Sequence, residues 1–215
     1  MILVIAGASL ETGLNRHLRY VLPALPPAIV LASRAFCVFA GGSRFSRALV
    51  VASSAWLVTS SLWIFPHSLS YFNESIGGPK RSAWHMNASN IDWGQDLTYL
   101  RRWQQRKADG RPLYVKNYLH LTKPEEFGIE VAGVVPSMYS RDSQSPNGME
   151  AKRRFVPGWY AVDRESILRQ SGDYAYLNQL QPADWAGYGF VIFDVTEEVA
   201  QRLEREWNEG GAKDE

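Results

Sequence analysis

Formal charge is missing from a long central part of this chain: after Arg47 the next charged residue is Glu74. Cysteine is almost absent, and the single Cys37 excludes a disulfide within the chain, so cysteine usage carries no statement about redox compartment. A phosphate loop, a Rossmann glycine fingerprint, paired-cysteine zinc spacing and His-Glu-x-x-His are all lacking. The histidines, His17, His67, His85 and His120, are scattered, so neither a metal nor a cofactor is expected. Net charge is also small: 23 Lys and Arg against 22 Asp and Glu leave +1, which gives no argument for a nucleic-acid partner, since that usually needs a basic face. There is no internal repeat. The apolar residues 2–8 have no basic stretch before them, which excludes an ordinary secretory signal.

What is present in the charge-free part is apolar sequence of membrane length. Residues 48–66 carry no charge and as a helix would span roughly 28 Å, close to a hydrocarbon core of about 30 Å. Ser53, Ser54, Thr59, Ser60 and Ser61 lower its hydropathy, while Trp63 and Phe65 suit an interfacial aromatic belt. A second run, residues 20–42, precedes it. Pro23, Pro26 and Pro27 fit the first turn of a helix, and Arg34 could snorkel to an interface. The short basic loop 42–47, with Arg44 and Arg47, joins the two into a membrane hairpin; a buried helix of a soluble core is the alternative. Residues 1–9 are too short to span and read as the end of a further helix. Arg16 and Arg19, just before the first run, could meet lipid phosphate or simply anchor at the interface.

Residues 67–215 are polar and numerous enough for one domain with its own core. A helix is expected over 92–107, with Asp92 and Gln95 spaced as a capping box, Trp93, Leu97, Leu100 and Trp103 on one stripe, cations at its C-terminal end and Gly110 to stop it. Strands are expected over 113–119 and 159–162, short helical turns over 124–129 and 174–180, and a loop over 140–148. The run 188–193 is apolar on both alternating faces, as in a strand covered on both sides. Thr196 caps a final helix whose Val199, Leu203 and Trp207 share a face. The fold class that follows is α/β: a two-helix membrane hairpin (membrane region 1–66, helices about 20–42 and 48–66), then a small three-layer α/β domain, 67–215, with a mainly parallel sheet.

Several residues invite a site. Asp92 and Asp96 are four apart and would share a helical face, as a carboxylate pair for a sugar hydroxyl or cation, or as a cap and a first-turn acid. Asn90 belongs to the polar turn leading into that helix. Asp194 ends an apolar strand, where ligands of α/β proteins often bind, or else begins the next turn. Trp159 and Tyr160 could stack on a sugar ring or pack in the core.

These strings together resemble a known family. Arg19-Tyr20-Val21-Leu22-Pro23 is similar to the RY-x-x-P element near the last helices of bacterial family 39 glycosyltransferases, multi-spanning GT-C enzymes related to protein mannosyltransferases and the lipid A aminoarabinose transferase. The stretch 66–73 followed by Gly77-Gly78-Pro79 resembles their exit from the final helix. Ser89-Asn90-Ile91-Asp92-Trp93-Gly94-Gln95-Asp96-Leu97 is similar to their recurrent S-N-x-D-W-G-Q-D-L string, the most specific part of the likeness. Residues 158–162 and 187–193 resemble later strands of the same tail domain. The resemblance implies the C-terminal portion of an inner-membrane enzyme that moves a sugar from a polyprenyl-phosphate donor to an acceptor. The polar domain would be extracytoplasmic and Arg34, Arg44 and Arg47 would mark the cytoplasmic turn. It also implies that the catalytic acid lies in an early loop with no counterpart here, so no catalytic residue is assigned and the chain alone is expected to be inactive. Arg19 and Tyr20 would face the donor phosphate, and Asn90, Asp92 and Asp96 would contribute to substrate binding. The alternative is a free-standing membrane-anchored module that binds glycan or protein without catalysis; a soluble α/β protein with a buried hairpin is a third.

Overall fold

Pro26 and Pro27 fix where the first helix begins. Their ring-locked φ suits a first turn, whose N–H groups have no intrahelical acceptor. In the computed structural model, which describes residues 24–81, 92–117, 122–137, 154–168 and 172–211, this helix is α1, Leu25–Gly41. The chain divides into two compact units, Met1–Asn90 and Ile91–Glu215.

In the first unit, α1 ends at Gly42, whose N–H donates to Val38 O at 2.8 Å. Only a two-residue link, Gly42 and Ser43, precedes α2, Arg44–Ile64. Ser43 caps α2 by accepting from the Ser46 N–H at 3.2 Å, and Arg47 donates from Nη2 to the Ala40 carbonyl at 3.0 Å, satisfying an orphan acceptor at the end of α1. The expected helices about 20–42 and 48–66 therefore shift. The second starts earlier because Ser43 supplies the cap, and it stops at Ile64 because Phe65, before Pro66, takes the extended backbone that a following proline favours (φ −58°, ψ 133°). Residues 1–9 and 20–23 lie outside the described residues.

The two helices leave their apolar side chains outward. No residue of α1 is buried, and in α2 only Ser60 and Ile64 are. Ile29, Leu31, Phe36, Leu49, Leu57 and Leu62 are all exposed, as is Trp63 at 86%. By length and composition α2 is apolar enough to cross a membrane, and α1 is a shorter apolar helix. After Pro66 the chain makes two short 3-10 turns, Ser68–Ser70 and Glu74–Ile76, the second capped by Asn73, which accepts from the Ser75 N–H at 2.9 Å. A single helical turn, α3, Gly78–Arg81, follows.

The second unit is an α/β layer structure built on a four-stranded mixed sheet. Its elements run α4 (Leu97–Lys107), β1 (Leu113–Lys116), β2 (Gly158–Asp163), α5 (Arg164–Leu168), β3 (Asp184–Ala186), β4 (Phe190–Val195) and α6 (Glu197–Gly211), with 3-10 turns at Pro124–Phe127 and Ala175–Gln179. The strand order is β1-β2-β4-β3. Only β1 and β2 are parallel, with Leu113 opposite Trp159; β2–β4 and β3–β4 are antiparallel. The expected mainly parallel sheet is thus corrected. β3 is only three residues long and feeds β4 through the tight turn Gly187–Gly189, so β4 arrives as a hairpin arm and not through a helical crossover. That turn also explains why the strand begins at Phe190, two residues later than the apolar run suggests.

The period of two along the strands sorts the core. Leu113, Val115, Ala161, Ala186, Phe190 and Ile192 face α4 through Leu97, Leu100 and Trp103. Tyr160, Val162, Val191, Phe193 and Val195 face the other way, toward Leu203 of α6, Ile167 of α5, and Phe155, Tyr176 and Leu177. β4 is therefore covered on both faces, as its continuous apolar run requires. Thr196 caps α6 by accepting from the Val199 N–H at 3.3 Å.

Candidate functional site: the Asp92–Asp96 turn

The acidic string before α4 folds on itself before the helix begins. Asp92 Oδ1 accepts from the Gly94 N–H at 2.8 Å and the Asp96 N–H at 3.2 Å, and Gln95 Oε1 accepts from the Trp93 N–H at 2.7 Å. Gly94 permits the reversal with φ +99°. The expected capping box at Asp92 and Gln95 is corrected: α4 starts at Leu97, and Asp92 closes an Asx turn upstream of it. Asp96 occupies the N-cap position but makes no side-chain cap bond.

Asp96 instead reaches across the second unit. It is fully buried, and its Oδ2 accepts from the backbone N–H groups of Tyr188 at 2.9 Å and Gly189 at 2.6 Å, in the β3–β4 turn. Gly187 in that turn has φ +63°, and a Cβ there would overlap the Asp96 carboxylate. From the other side, the Arg164 N–H donates to Gly189 O at 2.9 Å and Arg164 Nη1 donates to Tyr188 O at 3.3 Å. One peptide, Tyr188–Gly189, is therefore held at its N–H by a buried carboxylate and at its C=O by a buried guanidinium. The Arg164 guanidinium also lies 5.4 Å from the centre of the Trp185 ring.

Burial dominates the electrostatics here. It raises Asp96 to about 6, with the nearby Asp92 charge adding to the rise and the two backbone N–H groups opposing it. Burial also raises Asp92, against the pull of its backbone hydrogen bonds, and lowers Arg164 to about 10. Asp92 remains half-buried, and the Trp93 side chain is 57% exposed. Trp93 thus offers an exposed indole beside the half-buried Asp92, which suits stacking on an apolar ring face. Among the described residues no group of three His, Cys, Asp or Glu could hold a metal ion.

Of the residues singled out by sequence, Arg19, Tyr20 and Asn90 lie outside the described residues, as do His17, His85 and His120. Asp92 and Asp96 are brought together against Gly189, with Asp96 committed to the turn. Asp194 does not begin a turn: it sits inside β4 and its Oδ1 accepts from Arg111 Nη1 at 2.7 Å. Arg111 also pairs with Asp109 at 3.0 Å and lies 4.0 Å over the Trp159 ring, whose Nε1–H donates to Ala108 O at 3.1 Å. Trp103 meets the same indole edge-on at 5.1 Å. Tyr160 is fully buried and its hydroxyl donates to Val156 O at 2.9 Å. Both aromatics serve packing. Arg164 and Trp185 escaped the sequence reading; the Gly187-x-Gly189 spacing before an apolar run was the one available signal of a turn there. Compared with family models, curated proteins and solved structures, the chain matches none.

Proposed function

We propose that this chain is the membrane-anchored C-terminal portion of a glycosyltransferase that uses a polyprenyl-phosphate-linked sugar. The observation that carries the membrane half is the outward placement of the apolar side chains of α1 and α2, in a protein whose second unit buries its own apolar residues on both faces of a sheet. Water penalises the first arrangement and a bilayer does not. The transferase half rests on the resemblance of the strings at 19–23, 66–79 and 89–97. In this reading the chain sits in the inner membrane with the second unit on the extracytoplasmic side. Arg19 and Tyr20 meet the donor phosphate. Asn90, Asp92 and the exposed Trp93 face sugar hydroxyls and ring, while Asp96 acts through the turn it holds. The acid that deprotonates the acceptor hydroxyl belongs to a part of the transferase without a counterpart here.

The experiment uses the full chain in membranes and in detergent. The chain is expected to resist alkaline carbonate extraction, to bind a lipid-linked sugar donor, and to transfer no sugar by itself. Robust transfer by the purified chain overturns the division of labour, and absence of donor binding overturns the donor contacts. A second reading, a membrane-anchored glycan- or protein-binding module, is favoured by the self-contained core of the second unit. Binding of free glycan without any affinity for the lipid-linked donor selects it.

A further inference from the structure

The end of the helical pair where α1 meets α2 is basic. Residues 25–73 contain no Asp or Glu, and their only formal charges are Arg34, Arg44 and Arg47. All three side chains are exposed. Arg47 has a local reason for its place, since it donates to Ala40 O at the end of α1. Arg44 has none: it opens α2, where the macrodipole disfavours a cation, and no acid lies in that first turn. Phe45 beside it is 79% exposed, an aromatic where an interface would lie. Arg34 lies seven residues before Gly41, about 10 Å down α1, farther than an arginine side chain reaches, and helical side chains lean toward the helix N-terminus, away from the link. The opposite end of α2 is different in kind: Trp63, Phe65, Leu69 and Tyr71 are exposed there without a cation among them.

We infer that the α1–α2 link, through Arg44 with Arg47 beside it, seats the phosphate headgroups of anionic phospholipid. This rests on the membrane reading above and goes beyond it, because spanning a bilayer requires no headgroup preference. Guanidinium groups bind phosphate oxygens through paired N–H donors, and a negatively charged leaflet supplies what the start of α2 lacks. Two cations at the link without an acid between residues 25 and 73 also favour the anionic leaflet as the one that this end meets.

The test uses the full chain in nanodiscs of phosphatidylcholine mixed with phosphatidylglycerol. Lipid retained on the protein is read by native mass spectrometry, and carbonate extraction is run in parallel. The wild type is expected to retain phosphatidylglycerol over phosphatidylcholine. Arg44→Gln is expected to lose about fivefold of that preference, Arg44→Lys to keep most of it, and Arg34→Gln to leave it unchanged. Arg47 is left intact because it also closes α1. Resistance to extraction with no phosphatidylglycerol preference, or a preference that survives Arg44→Gln, overturns the inference alone. Extraction into the soluble fraction overturns the membrane reading and the inference with it.

Discussion

Asp96 shows how one side chain can carry a distant contact. Its carboxylate satisfies the N–H groups of Tyr188, part-buried, and Gly189, buried, in the β3–β4 turn, so Asp96→Ala strands both. The expected loss is on the order of 2–6 kcal/mol, since each stranded donor costs about 1–3 kcal/mol. Asp96→Asn keeps an acceptor oxygen and is expected to cost less than the alanine variant. Wild type and Asp96→Asn also separate by pH. Burial raises Asp96 to about 6 from its ordinary 3.8, so the folded state holds this proton more tightly than the unfolded chain. Its contribution therefore weakens stability as pH rises from about 4 to about 6 and is level above that. Asp163 behaves the same way: burial raises it to about 6 although Ser166 donates to both its oxygens. Urea melts of the wild type and Asp96→Asn at pH 4, 5 and 7 should show a shallower decline in the variant, with the Asp163 share remaining. Identical slopes would mean that Asp96 is not the group titrating. None of this was legible from the residue itself: an acid in the first turn of a helix reads as a partner of the helix dipole, and only the chain reversal ninety-odd positions later supplies its true donors.

Among the elements, those whose partners lie within a few residues were readable. The stripe Val199, Leu203 and Trp207 with Thr196 before it specifies α6, and the structure buries Leu203 completely. Leu203→Ala is accordingly expected to cost about 2–5 kcal/mol, measured by urea melts followed through circular dichroism. β3 was not readable because Asp184-Trp185-Ala186 lacks the length and alternation of a strand. Asp184 is there for side-chain reasons: its Oδ2 accepts from Trp103 Nε1 at 2.8 Å and from Lys107 Nζ at 2.7 Å, tying β3 to α4. Missing β3 is what made the sheet look mainly parallel. The turn after it depends on Gly187, whose φ of +63° and closeness to Asp96 leave no room for a Cβ. Gly187→Ala should lose on the order of 1–3 kcal/mol from backbone strain alone, and more from the overlap. A melting midpoint equal to wild type would show that Asp96 and the turn can separate without cost.

At the scale of the whole molecule the contrast between outward and inward apolar residues decides how the chain meets its surroundings. The second unit closes its core around Tyr160, Phe155, Phe190 and Ile192. In α2, by contrast, Trp56 and Trp63 are 61% and 86% exposed. This division was visible in sequence as the charge-free stretch, because hydropathy along one helix needs no knowledge of tertiary partners. The candidate site was only half visible, because Asp92 and Trp93 act locally while Asp96 and Arg164 act through β3 and β4. The bilayer reading makes a depth prediction. α2 would span about 31 Å, with Trp63 one residue from its end and Trp56 about 10 Å farther in. In vesicles containing lipids spin-labelled either near the headgroup or deep in the acyl chain, Trp56→Phe should remove quenching mainly from the deep label. Trp63→Phe should remove it mainly from the shallow one. Equal loss from both labels, or no quenching that either substitution removes, would mean that α2 lies along the surface or packs against protein, and the membrane-spanning reading would fall with it.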